Sequence, residues 1–295
     1  MTIVWDFDID VVHGDITLYA KWDIYNKPTK ITIEVPEDNA EVIFNYYIMQ
    51  SSKLQIKWDN KEVDVEFVEN TDATDPVLGA VKHTYANKGT YTIEILTLLG
   101  SYTLGNHYTS PAIVPAKYVT AIDFAWDMVK TRPYAFFGAT NLTELLLPSV
   151  MTQIDTGAFA GCTKLKTVFL SKNLVRISDQ AFQGCSAIEG ALELPPKLTA
   201  LGANAFDGCQ NLTSIKINDK LERLTAYSFR DCSKVKTVYL ANISRIDDQA
   251  FNNCASLEKI TFNEALKTFG TNCFSGCSLL TTAGPVGSDS NVEFA

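Results

Sequence analysis

Six of the seven cysteines, Cys162, Cys185, Cys209, Cys232, Cys254 and Cys277, recur at intervals of 22 to 24 residues. Thiols so placed invite three readings: cross-links, metal ligation or nucleophilic attack. Equivalent positions of stacked units lie about 4.8 Å apart. That falls inside the ~4.4–6.8 Å Cα range of a disulfide, but the side chains would project in parallel rather than toward one another. The first unit places Ala139 in the same slot, which asks for something small and buried. The spacing therefore predicts free thiols acting as small hydrophobes. Cys273 stands where other units have Ala or Ser. A Cys273–Cys277 link or a zinc site is the alternative there, but no histidine is close in sequence.

Other reactive side chains are sparse. His13 and His107 sit in Gly- or Asn-containing turns and read as solvated, and His83 reads as a turn or core hydrogen-bonding residue. No His-Glu-x-x-His, Gly-x-Ser-x-Gly or Gly-rich phosphate loop is present. Asp6, Asp8, Asp10 and Asp15 lack calcium-loop spacing and read as a solvated acidic face. Glu144 and Glu193 would share a face two units apart, roughly 10 Å, with no pocket to make them a hydrolytic pair. The expectation is a protein that is not an enzyme, with no catalytic residue, no metal and no cofactor.

The cysteines belong to a longer phrase. Ala-Phe-x-x-Cys followed three residues later by a leucine-like residue occurs at Phe159, Phe182, Phe206 and Phe251, with variants at Phe229 and Phe274 and a degenerate copy at Phe136. These phenylalanines are 23, 23, 24, 23, 22 and 23 residues apart. A period near 23 marks a solenoid, because one unit is too small to bury its own apolar face and buries it against the next. After each Cys slot comes an apolar pattern such as Leu165, Val168 and Leu170, then a second pair such as Leu174 and Ile177. The alternation predicts a short strand, a turn and a second short segment per unit, with the strands stacked as a parallel sheet and the Phe rings as an internal ladder. The unit between Cys185 and Cys209 is one residue longer.

The solvent side of the predicted strands carries Leu146, Phe169, Glu193, Lys216, Tyr239 and Thr261 in successive units. Phe169 and Tyr239 flanking a Glu193/Lys216 centre form the expected ligand-binding face.

Charge divides the chain. Residues 1–130 hold 10 Lys+Arg against 19 Asp+Glu, and residues 131–295 hold 15 of each. An acidic front and a neutral repeat array argue against nucleic acid as a partner. No run of about 18 apolar residues exists, so no membrane insertion is expected. The first fifteen residues have neither the basic start nor the apolar stretch of a secretory signal. The chain accordingly reads as cytoplasmic, or as a mature or trimmed piece of something exported. Residues ~27–110 alternate in short runs (Lys30–Val35, Val42–Ile48, Leu54–Trp58, Val63–Phe67, Val81–Tyr85, Thr90–Leu96) and predict a β-sandwich, with Gly89 supplying a turn conformation.

Three resemblances follow from these residues. The repeat, Leu-x-x-Ile-x-Leu-Pro-x-x-Leu-x-x-Ile-x-x-x-Ala-Phe-x-x-Cys, resembles the BspA-like (Treponema-type) leucine-rich repeat over residues ~131–283. The stretch from His83 to Ile93, with Trp58, resembles a PKD-like, immunoglobulin-type domain, although Asn60-Lys61 departs from that family's Gly-Asp-Gly. Residues 16–22, Ile-Thr-Leu-Tyr-Ala-Lys-Trp, resemble the end of a Listeria–Bacteroides repeat, which implies that the sequence starts inside a longer protein. The expected fold class is mainly β: an immunoglobulin-like sandwich followed by a leucine-rich repeat solenoid with a parallel sheet. The expected domains are 1–25, 26–112 and 113–295. The resemblances imply an extracellular, cell-surface protein, an adhesin-type module binding a host or matrix protein or another bacterial surface. The alternative is a purely structural stalk.

Overall fold

The computed structural model describes residues 27–49, 51–59, 65–71, 77–99, 102–104 and 111–285. The module expected at 1–25, His13, His107, Asn60-Lys61 and the four early aspartates lie outside the described residues.

Among the described residues, nine strands build the front: β1 (Thr29–Val35), β2 (Ala40–Ile48), β3 (Ser52–Lys57), β4 (Val65–Asn70), β5 (Val77–Tyr85), β6 (Gly89–Leu99), β7 (Tyr102–Leu104), β8 (Ile113–Val114) and β9 (Val119–Asp123). One antiparallel sheet runs β4-β3-β6-β1-β9, and a second runs β5-β2-β7 with β8 also paired to β2. Period-two alternation sends Ile31, Ile33 and Val35 of β1, Val42, Phe44 and Ile48 of β2, and Leu54 and Ile56 of β3 into one core. Trp58 is buried there, and its carbonyl accepts the Tyr85 hydroxyl at 2.6 Å. His83 stacks on Trp58 at 5.1 Å and meets the edge of Tyr85 at 4.6 Å, so its place is an aromatic sandwich rather than a hydrogen-bonded turn. Gly89 lies outside the left-handed region and opens β6. The turn before it is held by Asp38, which accepts the Lys88 amide at 2.8 Å.

The rest is a solenoid with two strands per turn. The longer strands are β10 (Glu144–Leu146), β12 (Thr167–Phe169), β14 (Gly190–Glu193), β16 (Leu212–Lys216), β18 (Thr237–Tyr239), β20 (Lys259–Phe262) and β22 (Thr282–Pro285). Two-residue strands alternate with them: β11 (Gln153–Ile154), β13 (Arg176–Ile177), β15 (Ala200–Leu201), β17 (Arg223–Leu224), β19 (Arg245–Ile246) and β21 (Thr268–Phe269). All pairings within these sheets are parallel.

Between them runs the phenylalanine ladder. Phe136, Phe159, Phe182, Phe206, Phe229, Phe251 and Phe274 stack face to face with centroids 5.2–5.6 Å apart and planes within 11°. Each ring covers the next, so no unit is stable without a neighbour. The residues two before and two after each Phe have positive φ throughout, from Tyr134 and Gly138 to Asn272 and Gly276. These paired left-handed corners turn the chain sharply around the ring, which is why Gly, Asn and Asp recur after the Phe.

The two parts are joined closely. Phe124, just after β9, caps the ladder by meeting Phe136 edge-on at 5.9 Å. Ala112 donates to the Ala135 carbonyl at 2.6 Å and accepts from the Asn45 amide at 2.8 Å. The Arg132 guanidinium lies 4.2 Å over the Tyr47 ring. The Asn141 side-chain amide donates to the Lys117 carbonyl at 2.7 Å. Strands β8 and β9 fall past residue 112, yet they complete the antiparallel sheets.

Candidate functional site: the strand face

The strand face is not one continuous sheet. β10 and β12 form a pair, and β14-β16-β18-β20-β22 form a separate five-stranded sheet. The break coincides with the extra residue of the long unit. Gly190 sits there at φ +84°, and the register of β14 on β16 shifts between Gly190 and Ala191. Such a bulge turns the strand away from its neighbour.

The break divides the expected face. Glu193, Lys216 and Tyr239 stand on directly paired positions of β14, β16 and β18. The Lys216 ammonium is 3.4 Å from the Glu193 carboxylate, with both side chains largely exposed. Such a pair fixes little on its own. They edge a shallow depression of about 330 Å³ that also includes Ala191, Ser214 and Lys259. Phe169 lies across the break, on β12, paired in register with Leu146 of β10.

Phe169 therefore keeps different company from that expected. Leu146 is 62% exposed and Phe169 51% exposed. Beside Leu146, Trp126 is 64% exposed and shares with it a crevice of about 560 Å³ bordered by Val150, Phe124 and the Lys27–Asp123 ion pair. Trp126, Leu146 and Phe169 make an apolar half of the face, and Glu193, Lys216 and Tyr239 make a polar half with one aromatic. Trp126 escapes a reading by repeats because it precedes the first full unit. Its signal is a Trp between Asp123 and Asp127 just after a strand.

The thiols offer no reactive centre on this face. Cys162, Cys185, Cys209, Cys232, Cys254 and Cys273 are free and buried, and Cys277 is free and half-buried. Burial raises the pKa of Cys185, Cys209 and Cys232 well above the ordinary thiol value and pushes Cys273 up to about 11. Each of the six stacked thiols donates to the Phe carbonyl of the preceding unit at 3.1–3.4 Å. The residue in this slot of the first unit is Ala139, which has no preceding repeat Phe to reach. Among the described residues no group of three or more His, Cys, Asp or Glu side chains is placed to hold a metal ion. No helix among them is long and apolar enough to cross a membrane.

Two short parallel strands per turn, a stacked Phe ladder and a buried thiol at each corner define a leucine-rich repeat solenoid. The chain belongs to the BspA type leucine-rich repeat family: six copies of its repeat match residues 116–191 and 190–286. This repeat is a non-catalytic scaffold. Comparison with curated proteins gave no match. Among solved structures, the chain is similar to the T. pallidum leucine-rich repeat protein, with 28% identity over 52% of this chain and 71% of that one and a TM-score of 0.47. It is also similar to a leucine-rich repeat protein from Eubacterium ventriosum, with 15% identity over 54% of this chain and 49% of that one and a TM-score of 0.44. The pneumococcal vaccine antigen PcpA matches at 22% identity over 46% of this chain and 35% of that one, with a TM-score of 0.40.

Proposed function

We propose that the chain is an adhesin-type module of a bacterial cell-surface or secreted protein, and that its leucine-rich repeats hold a protein of the host, the matrix or another bacterial surface. The observation that carries this reading is the contiguous exposed strip of Trp126, Leu146 and Phe169. Apolar side chains clustered on a rigid face mark interaction sites, whereas single exposed ones are ordinary. The strip supplies the anchor, and Glu193, Lys216 and Tyr239 supply the polar flank. In this reading residues 26–112 are a PKD-like, immunoglobulin-type support, residues 1–25 are the end of a Listeria–Bacteroides repeat, and the solenoid projects beyond them.

The test is binding of the immobilised full chain to matrix proteins, mucins and epithelial cells. We expect saturable binding, weakened at least about 30-fold by Leu146→Ala/Phe169→Ala, the loss of an interface anchor of about 2 kcal/mol or more. Tyr239→Ala should weaken it less. Absence of binding to every surface would assign the chain the role of a structural stalk.

A further inference from the structure

We propose that the break between β12 and β14 is a preformed slot for one extended peptide segment of the protein partner, added as a strand between the two walls. The proposal rests on the protein-binding reading above and names the element of the partner that is held.

The backbone carries the argument. Just past the end of each longer strand, an amide donates to the carbonyl of the next longer strand. Leu147 donates to Phe169 at 3.1 Å, Leu194 to Lys216 at 2.9 Å, Ile217 to Tyr239 at 2.9 Å and Leu240 to Thr261 at 2.7 Å. At the step from β12 to β14 the equivalent bond, Leu170 to Glu193, is missing, and no pairing joins the two strands. The strands start together, with the Glu189 amide on the Lys166 carbonyl at 3.2 Å. Beyond that point no pairing joins them, and one intervening strand would hold them about 9.6 Å apart, twice the ordinary spacing.

The opening is confined to this face. Behind it β13 and β15 remain paired, and Phe182 stacks on Phe159 at 5.5 Å and on Phe206 at 5.2 Å. A slot held open by an intact core needs no ordering when a ligand enters. Its volume is about 500 Å³, its walls include Val168, Leu170, Leu192 and Leu194, and it reaches the ladder at Phe206. Walls of unpaired backbone select a polypeptide in extended form, as in strand addition to a sheet edge. The apolar floor selects apolar side chains at alternate positions. With three residues in β12 and four in β14, the segment paired is about three or four residues long, some 10–13 Å at the usual strand rise. Exposed Phe169 stands at the rim and joins the slot to the apolar strip.

A phage-displayed library of linear heptapeptides, selected on the full chain, provides the probe. Deleting Gly190 restores the 23-residue step and closes the slot, and Lys267→Ala, exposed and outside the strand face, is the control that leaves the slot open. We expect enriched peptides with alternating apolar residues that bind the full chain and Lys267→Ala within about threefold and bind the Gly190 deletion at least about tenfold more weakly. Amide exchange by NMR gives a readout independent of the deletion. Leu170 should exchange much faster than Leu147, Leu194, Ile217 and Leu240 in the free chain and become protected when the peptide is added. Peptides that bind the deletion equally well, no enriched peptide, or a Leu170 amide already protected in the free chain would each overturn the slot. Surface binding abolished by Leu146→Ala/Phe169→Ala but kept by the Gly190 deletion would overturn the slot alone and leave the adhesin reading standing.

Discussion

The Cys185 thiol lies 3.1 Å from the carbonyl oxygen of Phe159, one turn of the solenoid before it. The cysteine thus fills two needs, a small apolar volume under the ladder and a weak donor to a buried carbonyl. Cys185→Ala should cost about 1–2 kcal/mol in urea unfolding, from the lost volume and the lost bond together. A loss below about 0.5 kcal/mol, the level of an ordinary surface change, would mean that the slot tolerates slack.

Cys277 should be the first thiol modified in the folded protein. Its pKa is lowered, chiefly by a hydrogen bond with Cys254, and it is half-buried where the others are buried. The Cys254 partner and the burial-shifted Cys185, Cys209 and Cys232 lie on the opposite side, well above the usual value. Only the thiolate reacts. Timed iodoacetamide labelling with peptide mass spectrometry should place the first adduct on Cys277, with the six others appearing only on unfolding.

Acid should weaken the solenoid at Asp247. This buried carboxylate accepts from Arg223 Nε and from Arg245 Nε, each at 2.6 Å. Burial alone would raise its pKa, but the two guanidinium bonds outweigh burial and lower it. A carboxyl with a depressed folded pKa adds stability above its unfolded value, about 3.9, and loses it as pH falls through the folded value. Asp247→Ala should therefore cost about 1–3 kcal/mol near neutral pH, the worth of buried bonds to charged groups. The gap between wild type and variant should narrow below about pH 4.

Two glycines should respond differently to alanine. Gly184 has φ +72°, and an added Cβ would meet only Gly161 at 3.9 Å, so the cost is backbone strain of about 1–2 kcal/mol. Gly202 has no positive φ, but its added Cβ would lie 2.2 Å from the Asp179 amide nitrogen and 2.3 Å from the Ser178 carbonyl carbon. Backbone of a packed neighbouring turn cannot give way cheaply. Gly202→Ala should lower the urea midpoint more than Gly184→Ala; equal shifts would show that the turns slide past one another.

Much of this was legible in the residues. The 23-residue period, the Phe ladder and the free thiols follow from spacing and residue size, because a repeated slot must stack on its own copies. The alternation from Lys30 to Leu96 located the antiparallel strands for the same kind of reason. His83 was misplaced because a ring that stacks on Trp58 leaves no mark in sequence different from a ring that donates a bond. Gly89 was misplaced because a glycine marks a turn only when its φ requires one.

The strand face shows where a linear reading stops. The solenoid, its core slots and the identity of each outward side chain are readable from the residues, since these depend on near neighbours and on the period. Which of those side chains meet depends on how the units and sheets pack. The ladder breaks between β12 and β14 beside the inserted residue at Gly190, so Phe169 is paired in register with Leu146 but not with Glu193. Docking of the antiparallel sheets onto the first turn brings in Trp126 from outside the repeat. A bulge is local in the chain, but the direction in which it turns a strand is set by the ladder and the second sheet behind it. A surface is defined by how units pack, and packing is not written in any one of them.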